Sequence, residues 1–155
     1  MPRRAIETGV AAGGLFAVLG LIAWVTGQPF VFPSLGPSAF ALAFETRREK
    51  VRPRRVVGSH LIGALAGFAA YSVLASGVSL TAVPPALSIA GLQLILSGVV
   101  SVVVTGWGML VTDTVHPPAC ATTLIVSLGL LSSAFDVGVI VVSVVGLVAV
   151  SELLE

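Results

Sequence analysis

The residues of this chain that could do chemistry are few, and several lie close together. Asp113, His116 and Cys120 place an acid, an imidazole and a thiol in one short segment. A Cys-His-Asp nucleophile set can be drawn from them. Any short segment produces such spacing, however, and no oxyanion arrangement accompanies it. Metal ligation fails on supply, because His60 and His116 are the only histidines and Cys120 the only thiol. His60, just after a basic loop, is expected at the membrane interface. A glycine-rich phosphate loop with its lysine is also missing. The sequence therefore calls for no enzyme activity, no metal and no cofactor, and ATP-driven transport by this chain alone is not expected.

A different chemistry is written in two proline-started runs. One covers residues 28–44, QPFVFPSLGPSAFALAF, and the other residues 113–131, DTVHPPACATTLIVSLGLL. Proline fits the first turn of a helix but interrupts its interior. Each run therefore reads as an extended approach followed by a half-helix, one starting at Ser34 and the other at Pro118. A helix N-terminus carries unpaired N–H groups and about half a positive charge. Two such ends brought together would suit an anion. The candidate pathway residues are Ser34, Leu35, Gly36, Pro37 and Ser38, then His116, Pro117, Pro118, Ala119, Cys120, Thr122 and Thr123. Among these the donors would be the hydroxyls of Ser34, Ser38, Thr122 and Thr123 and the N–H groups of Gly36, Ala119 and Cys120. Ser34 and Ser38 could equally be plain helix caps. An ionisable residue at membrane depth is a functional hypothesis by default. His116 could carry a proton or stay neutral and bonded to backbone. Asp113 could share that role or be a solvated charge at a helix end.

These runs need elements to hold them, and composition says which. Only 10% of the residues are charged and 56% are hydrophobic, and the mean hydropathy is +1.08. A soluble domain carries charge on about a quarter of its residues, so most of this surface must face lipid. Four segments, residues 8–27, 56–76, 87–112 and 136–154, read as full transmembrane helices, each near the ~20 residues that cross a ~30 Å hydrocarbon core. Gly9 with Gly13, and Gly63 with Gly67, have the spacing that lets helix backbones approach closely. The first apolar run follows Arg3 and Arg4 as a signal peptide would. It is too long for one and lacks a small-x-small cleavage site, so it reads as a retained helix.

The basic residues set the topology. All eight lie in two clusters: Arg3 and Arg4, then Arg47, Arg48, Lys50, Arg52, Arg54 and Arg55. Cytoplasmic loops carry the excess of Lys and Arg. Both clusters lie inside only if residues 28–44 cross the membrane rather than dip and return. Length permits this: about six extended residues give roughly 20 Å, and about eleven helical ones add roughly 16 Å. Residues 113–131 pass the same test. Six crossings follow, as an all-α single membrane domain of four full helices plus two half-helix segments. The halves, about 5–76 and 87–155, have opposite orientation, the pattern of an inverted 3+3 repeat. The N-terminus, the 45–55 loop and the C-terminus are expected to be cytoplasmic, in the cell membrane.

Two motifs carry a resemblance. His116-Pro117-Pro118-Ala119-Cys120-Ala121-Thr122-Thr123 and Phe32-Pro33-Ser34-Leu35-Gly36-Pro37-Ser38-Ala39 together resemble the HPP family of integral membrane proteins. They occur in order, each after an apolar helix, with the basic loop between, and the resemblance covers nearly the whole chain. It implies a small membrane protein suspected of transport. Some chloroplast and cyanobacterial members are described as nitrite transporters. The family is usually described with four transmembrane helices, so six crossings depart from it. Regulatory CBS domains, which some members carry at the C-terminus, are not expected here.

The expectation is therefore a channel or carrier for a small inorganic anion, nitrite first, embedded in the lipid bilayer as a homo-oligomer and binding no nucleic acid. The alternatives are a membrane anchor or complex subunit, whose basic loop would dock a partner or anionic lipid, and a neutral-solute or water pore.

Overall fold

A computed structural model describes residues 2–44 and 52–154. Arg47, Arg48 and Lys50 of the basic loop lie outside the described residues. The regular structure is all helical, with no strand among the described residues. Four long helices, α1 (Pro2–Thr26), α3 (Pro53–Leu74), α4 (Ile89–Val111) and α6 (Ala134–Leu153), are each long and apolar enough to cross a membrane. Two short helices, α2 (Leu35–Phe44) and α5 (Ala119–Ser127), lie in the proline-started runs.

The boundaries have local causes. Pro53 begins α3 in the first-turn position that proline fits. Ser88 caps α4 by accepting the Gly91 N–H, and Ser133 with Asp136 forms a capping box that starts α6 at Ala134, two residues before the expected start. The helix of residues 113–131 is shorter than the sequence suggested. It stops at Ser127 rather than continuing to Leu131, because Gly129 turns left-handed at φ 75°. The Gly129 N–H then bonds the Val126 carbonyl and the Leu130 N–H the Ile125 carbonyl, which is the Schellman closure. Asp113 does the same for α4 at φ 51°, with Thr114 N–H bonding the Met109 carbonyl and Asp113 N–H that of Leu110. Aspartate tolerates this conformation better than most side chains.

Helix α3 is central. It packs on α4, α5 and α6, and α6 in turn packs on α1 and α2. Glycines on α3 make room for α5. A Cβ on Gly63 would sit 2.8 Å from the Ala119 carbonyl oxygen and 2.6 Å from Thr123 Oγ1. One on Gly67 would sit 2.6 Å from the Thr123 carbonyl oxygen. The α3–α4 linker closes over the far end of α5, where Leu80 N–H bonds the Leu128 carbonyl and the Ser79 hydroxyl that of Gly129. At the other end of α3, Arg55 pairs with Asp113 at 3.3 Å. The run from Asp113 to Gly129 thus extends from one end of α3 to the other. The Arg4 guanidinium, 5.7 Å from the Phe44 ring centre, likewise brings the start of α1 beside the end of α2.

Polarity is arranged inside out. Val103, Trp107 and Leu110 of α4 are exposed, whereas Ser97, Ser101 and Thr105 of the same helix are fully buried. Ser97 donates to the Ser127 carbonyl, and Thr105 bonds Thr123. A helix that buries hydroxyls and exposes valines is solvated by hydrocarbon, and interhelical hydrogen bonds tie such bundles together.

Candidate functional site

The polar centre is built where the two proline-started runs meet α3. Ser34, immediately before α2, and Thr122, in the first turn of α5, lie with their hydroxyl oxygens 2.6 Å apart. One turn further along α2, Ser38 lies 2.9 Å from His60 Nε2 and 3.0 Å from His116 Nε2, and it donates to the Ser34 carbonyl at 3.2 Å. His60 closes the ring of contacts through Nδ1, 2.6 Å from Thr122 Oγ1. The two imidazoles stand 5.5 Å apart. Ser34, Ser38, His60 and Thr122 are fully buried, and His116 is 4% exposed.

Every donor in this cluster has an acceptor when both histidines are neutral. A neutral imidazole donates through one nitrogen and accepts through the other. Ser34 can donate to Thr122, Thr122 to His60 Nδ1, and both Nε2–H groups to Ser38, which donates to the Ser34 carbonyl. No formal charge is needed to satisfy the site, and none of its five side chains is a fixed cation.

The expected pathway residues divide into two groups. Ser34, Ser38, His116 and Thr122 come together. Thr123 turns away, towards Thr105 of α4 and the Ala119 carbonyl. Leu35 and Ala119 are fully buried, Leu35 within the apolar core. Gly36, Pro118 and Cys120 are half-buried, while Pro37 and Pro117 are exposed. The Ala119 and Cys120 N–H groups, two of the three expected backbone donors, bond the carbonyls of His116 and Pro117 instead. Asp113 stands outside it, exposed and paired with Arg55.

The hub that sequence reading placed elsewhere is His60. It was expected at the interface and is instead fully buried. Its signal was its spacing: His60, Gly63 and Gly67 recur at intervals of three and four, so they share one face of α3. That glycine face is the one pressed against α5.

Long apolar helices around a buried histidine–hydroxyl cluster define a polytopic integral membrane protein with a polar interior. The chain belongs to the HPP family, whose model, described as "HPP, transmembrane region", matches residues 2–154. No curated protein matches the chain, and no solved structure does.

Proposed function

We propose that the protein is a transporter or channel for a small inorganic anion, nitrite first. The observation that carries this reading is the side-by-side placement of the two short-helix starts in the buried centre, with Ser34 and Thr122 in contact. Broken helices that begin inside a bundle commonly form the substrate sites of transporters. A non-transporting anchor has no use for irregular backbone and five converging polar side chains at that depth. The site is closed in this conformation. Anion passage requires the helix starts to part, so that hydroxyl and imidazole donors exchange each other for the anion.

The packing supports an inverted repeat. Exchanging α1 with α4, α2 with α5 and α3 with α6 turns each of the main packing pairs into another of them, or into itself. Ala119 opposes Gly63, the eleventh residue of the 22-residue α3, which agrees with a start near the bilayer midplane. Arg4 beside Phe44 supports a full return crossing by residues 28–44 and a shared, cytoplasmic side for the basic residues. On α1, nothing lies within 4 Å of a Cβ added at Gly9, Gly13 or Gly14. This leaves a face against which a second copy could pack in a homo-oligomer.

The test is flux into proteoliposomes of the purified protein, comparing nitrite, nitrate, chloride and formate with glycerol and water. Saturable nitrite entry is expected. Entry of none of the anions would favour the anchor, and equal passage of glycerol or water would favour a neutral pore. His116→Ala is expected to remove the pH dependence of nitrite entry. An unchanged pH profile would dismiss His116 as the proton partner.

A further inference from the structure

The cluster has a property that anion binding alone does not require. Its side chains form one continuous path, Ser34–Thr122–His60–Ser38–His116, with separations of 2.6, 2.6, 2.9 and 3.0 Å, and Ser38 also reaches the Ser34 carbonyl at 3.2 Å. His60 is bonded through both nitrogens, so the path runs through the imidazole rather than around it. Four members are sealed, and the only exposure is at His116. This end follows the exposed Asp113–Arg55 pair closely in the chain.

Among the described residues the cations on α3 are Arg54 and Arg55 in its first turn, Arg55 paired with Asp113, and neither hydrogen-bonds the five side chains of the path. Helices α2 and α4 carry no ionisable side chain, α5 carries only Cys120, and α6 only Asp136 and Glu152, at its two ends. His116 faces His60 with the ring centres 5.5 Å apart. A bare anion held here would be a buried charge with no cation among the side chains in contact with it, which is costly. An anion that accepts a proton escapes that cost by becoming neutral.

We propose, building on the anion-transport reading, that His60 is a proton relay between His116 and the anion site, and that the anions carried are conjugate bases of weak acids, which cross together with a proton. The transfer balances along the path. The relay starts from the other arrangement the cluster allows, in which Ser38 turns its hydrogen from the Ser34 carbonyl to His60 Nε2 and His60 carries its proton on Nδ1. Hydrogens on His116 Nε2, Ser38 Oγ, His60 Nδ1, Thr122 Oγ1 and Ser34 Oγ then each point to the next atom. A proton from water adds to His116 Nδ1. The Nε2 proton passes to Ser38, the Ser38 proton to His60 Nε2, the Nδ1 proton to Thr122 and the Thr122 proton to Ser34. The Ser34 proton passes to an oxygen of the anion, which leaves as the neutral acid. One proton enters and one departs, and each hydroxyl loses one O–H bond and gains another. The path is left pointing the opposite way and resets when the site opens to water.

Vesicles loaded with a pH-reporting dye, their membrane potential clamped with potassium and valinomycin, test this against protein-free vesicles. Inward gradients of nitrite and formate are expected to acidify the interior at a protein-dependent rate that ignores the clamped voltage. Nitrate and chloride, conjugate bases of strong acids, are expected to do neither. In folded His60→Gln, which keeps a donor and an acceptor but cannot relay, acidification should fall roughly 100-fold. Ser38→Ala leaves both imidazoles in place and should give the same loss, which covers the case in which His60→Gln does not fold. Nitrite entry that follows voltage and brings no proton overturns the relay and leaves anion transport standing. Undiminished acidification in both folded variants also overturns it. Absence of protein-dependent entry of all four anions overturns both readings.

Discussion

Ser38 has one hydrogen to give and three partners within 3.2 Å. Because the Ser34 carbonyl can only accept, Ser38 either donates to it and receives from both imidazoles, or turns its hydrogen to one of them. This freedom makes it the junction of the cluster. Removing it strands two buried ring nitrogens. Ser38→Ala is expected to lower stability by about 1–3 kcal/mol, towards the lower end because interhelical bonds in membranes are individually weak. Thermal unfolding in detergent measures this, and a midpoint equal to that of the parent would mean that the hydroxyl bonds nothing of consequence. Pro37→Ala, one position earlier and exposed, serves as the comparison. At this scale the sequence was half legible. Serines, a threonine and His116 beside prolines in apolar runs announced themselves. His60 did not, because it stands in an unbroken helix near arginines, where a polar residue has an innocent explanation. Its partners are 22 and 62 positions away, and no local pattern reports such pairings.

Helix α3 illustrates how an element is specified by what it lacks. Its glycines at 63 and 67 let α5 approach until a single added methyl would overlap main-chain oxygens. Backbone cannot move aside as a flexible side chain does. Gly63→Ala and Gly67→Ala are therefore each expected to destabilise by about 1–3 kcal/mol. Gly9→Ala and Gly13→Ala, with open space around them, should be neutral or gain up to about 1 kcal/mol from helix propensity. Unfolding midpoints of the four variants compare the two pairs directly, and equal effects would show that the α3–α5 contact is not tight. The two pairs have the same spacing in the sequence. Only the fold distinguishes them, since α5 lies on one and no described residue on the other. The proline-started runs were legible as elements because proline states where a helix begins. The end of α5 was harder to read. Gly129 sits inside an apolar stretch, SLGLL, that hydropathy alone extends to Leu131.

For the whole molecule the question is whether the two short helices belong to complete crossings. The start of α1 touches the end of α2, and the start of α3 is tied to the turn after α4. The end of α5 is tied to the α3–α4 linker at the opposite end of α3. Chain ends that meet in this way leave each broken run spanning the bundle. The charge pattern pointed to that arrangement, since only a crossing by residues 28–44 puts both basic clusters on one side. Sidedness can be read with single cysteines in a Cys120→Ser background, labelled in intact vesicles by a reagent that does not cross the bilayer. Arg3 is exposed at the start of α1 and Arg54 at the start of α3, and Val83 and Leu130 are exposed beside the far end of α5. Cysteines at 3 and 54 are expected to react from the same side, and those at 83 and 130 from the opposite one. If 28–44 only dips into the membrane and returns, 3 and 54 will react from opposite sides. The six-crossing arrangement would then be lost. With it would go the proposal that α2 and α5 begin at one depth from opposite directions, and hence the anion-transport reading that rests on it.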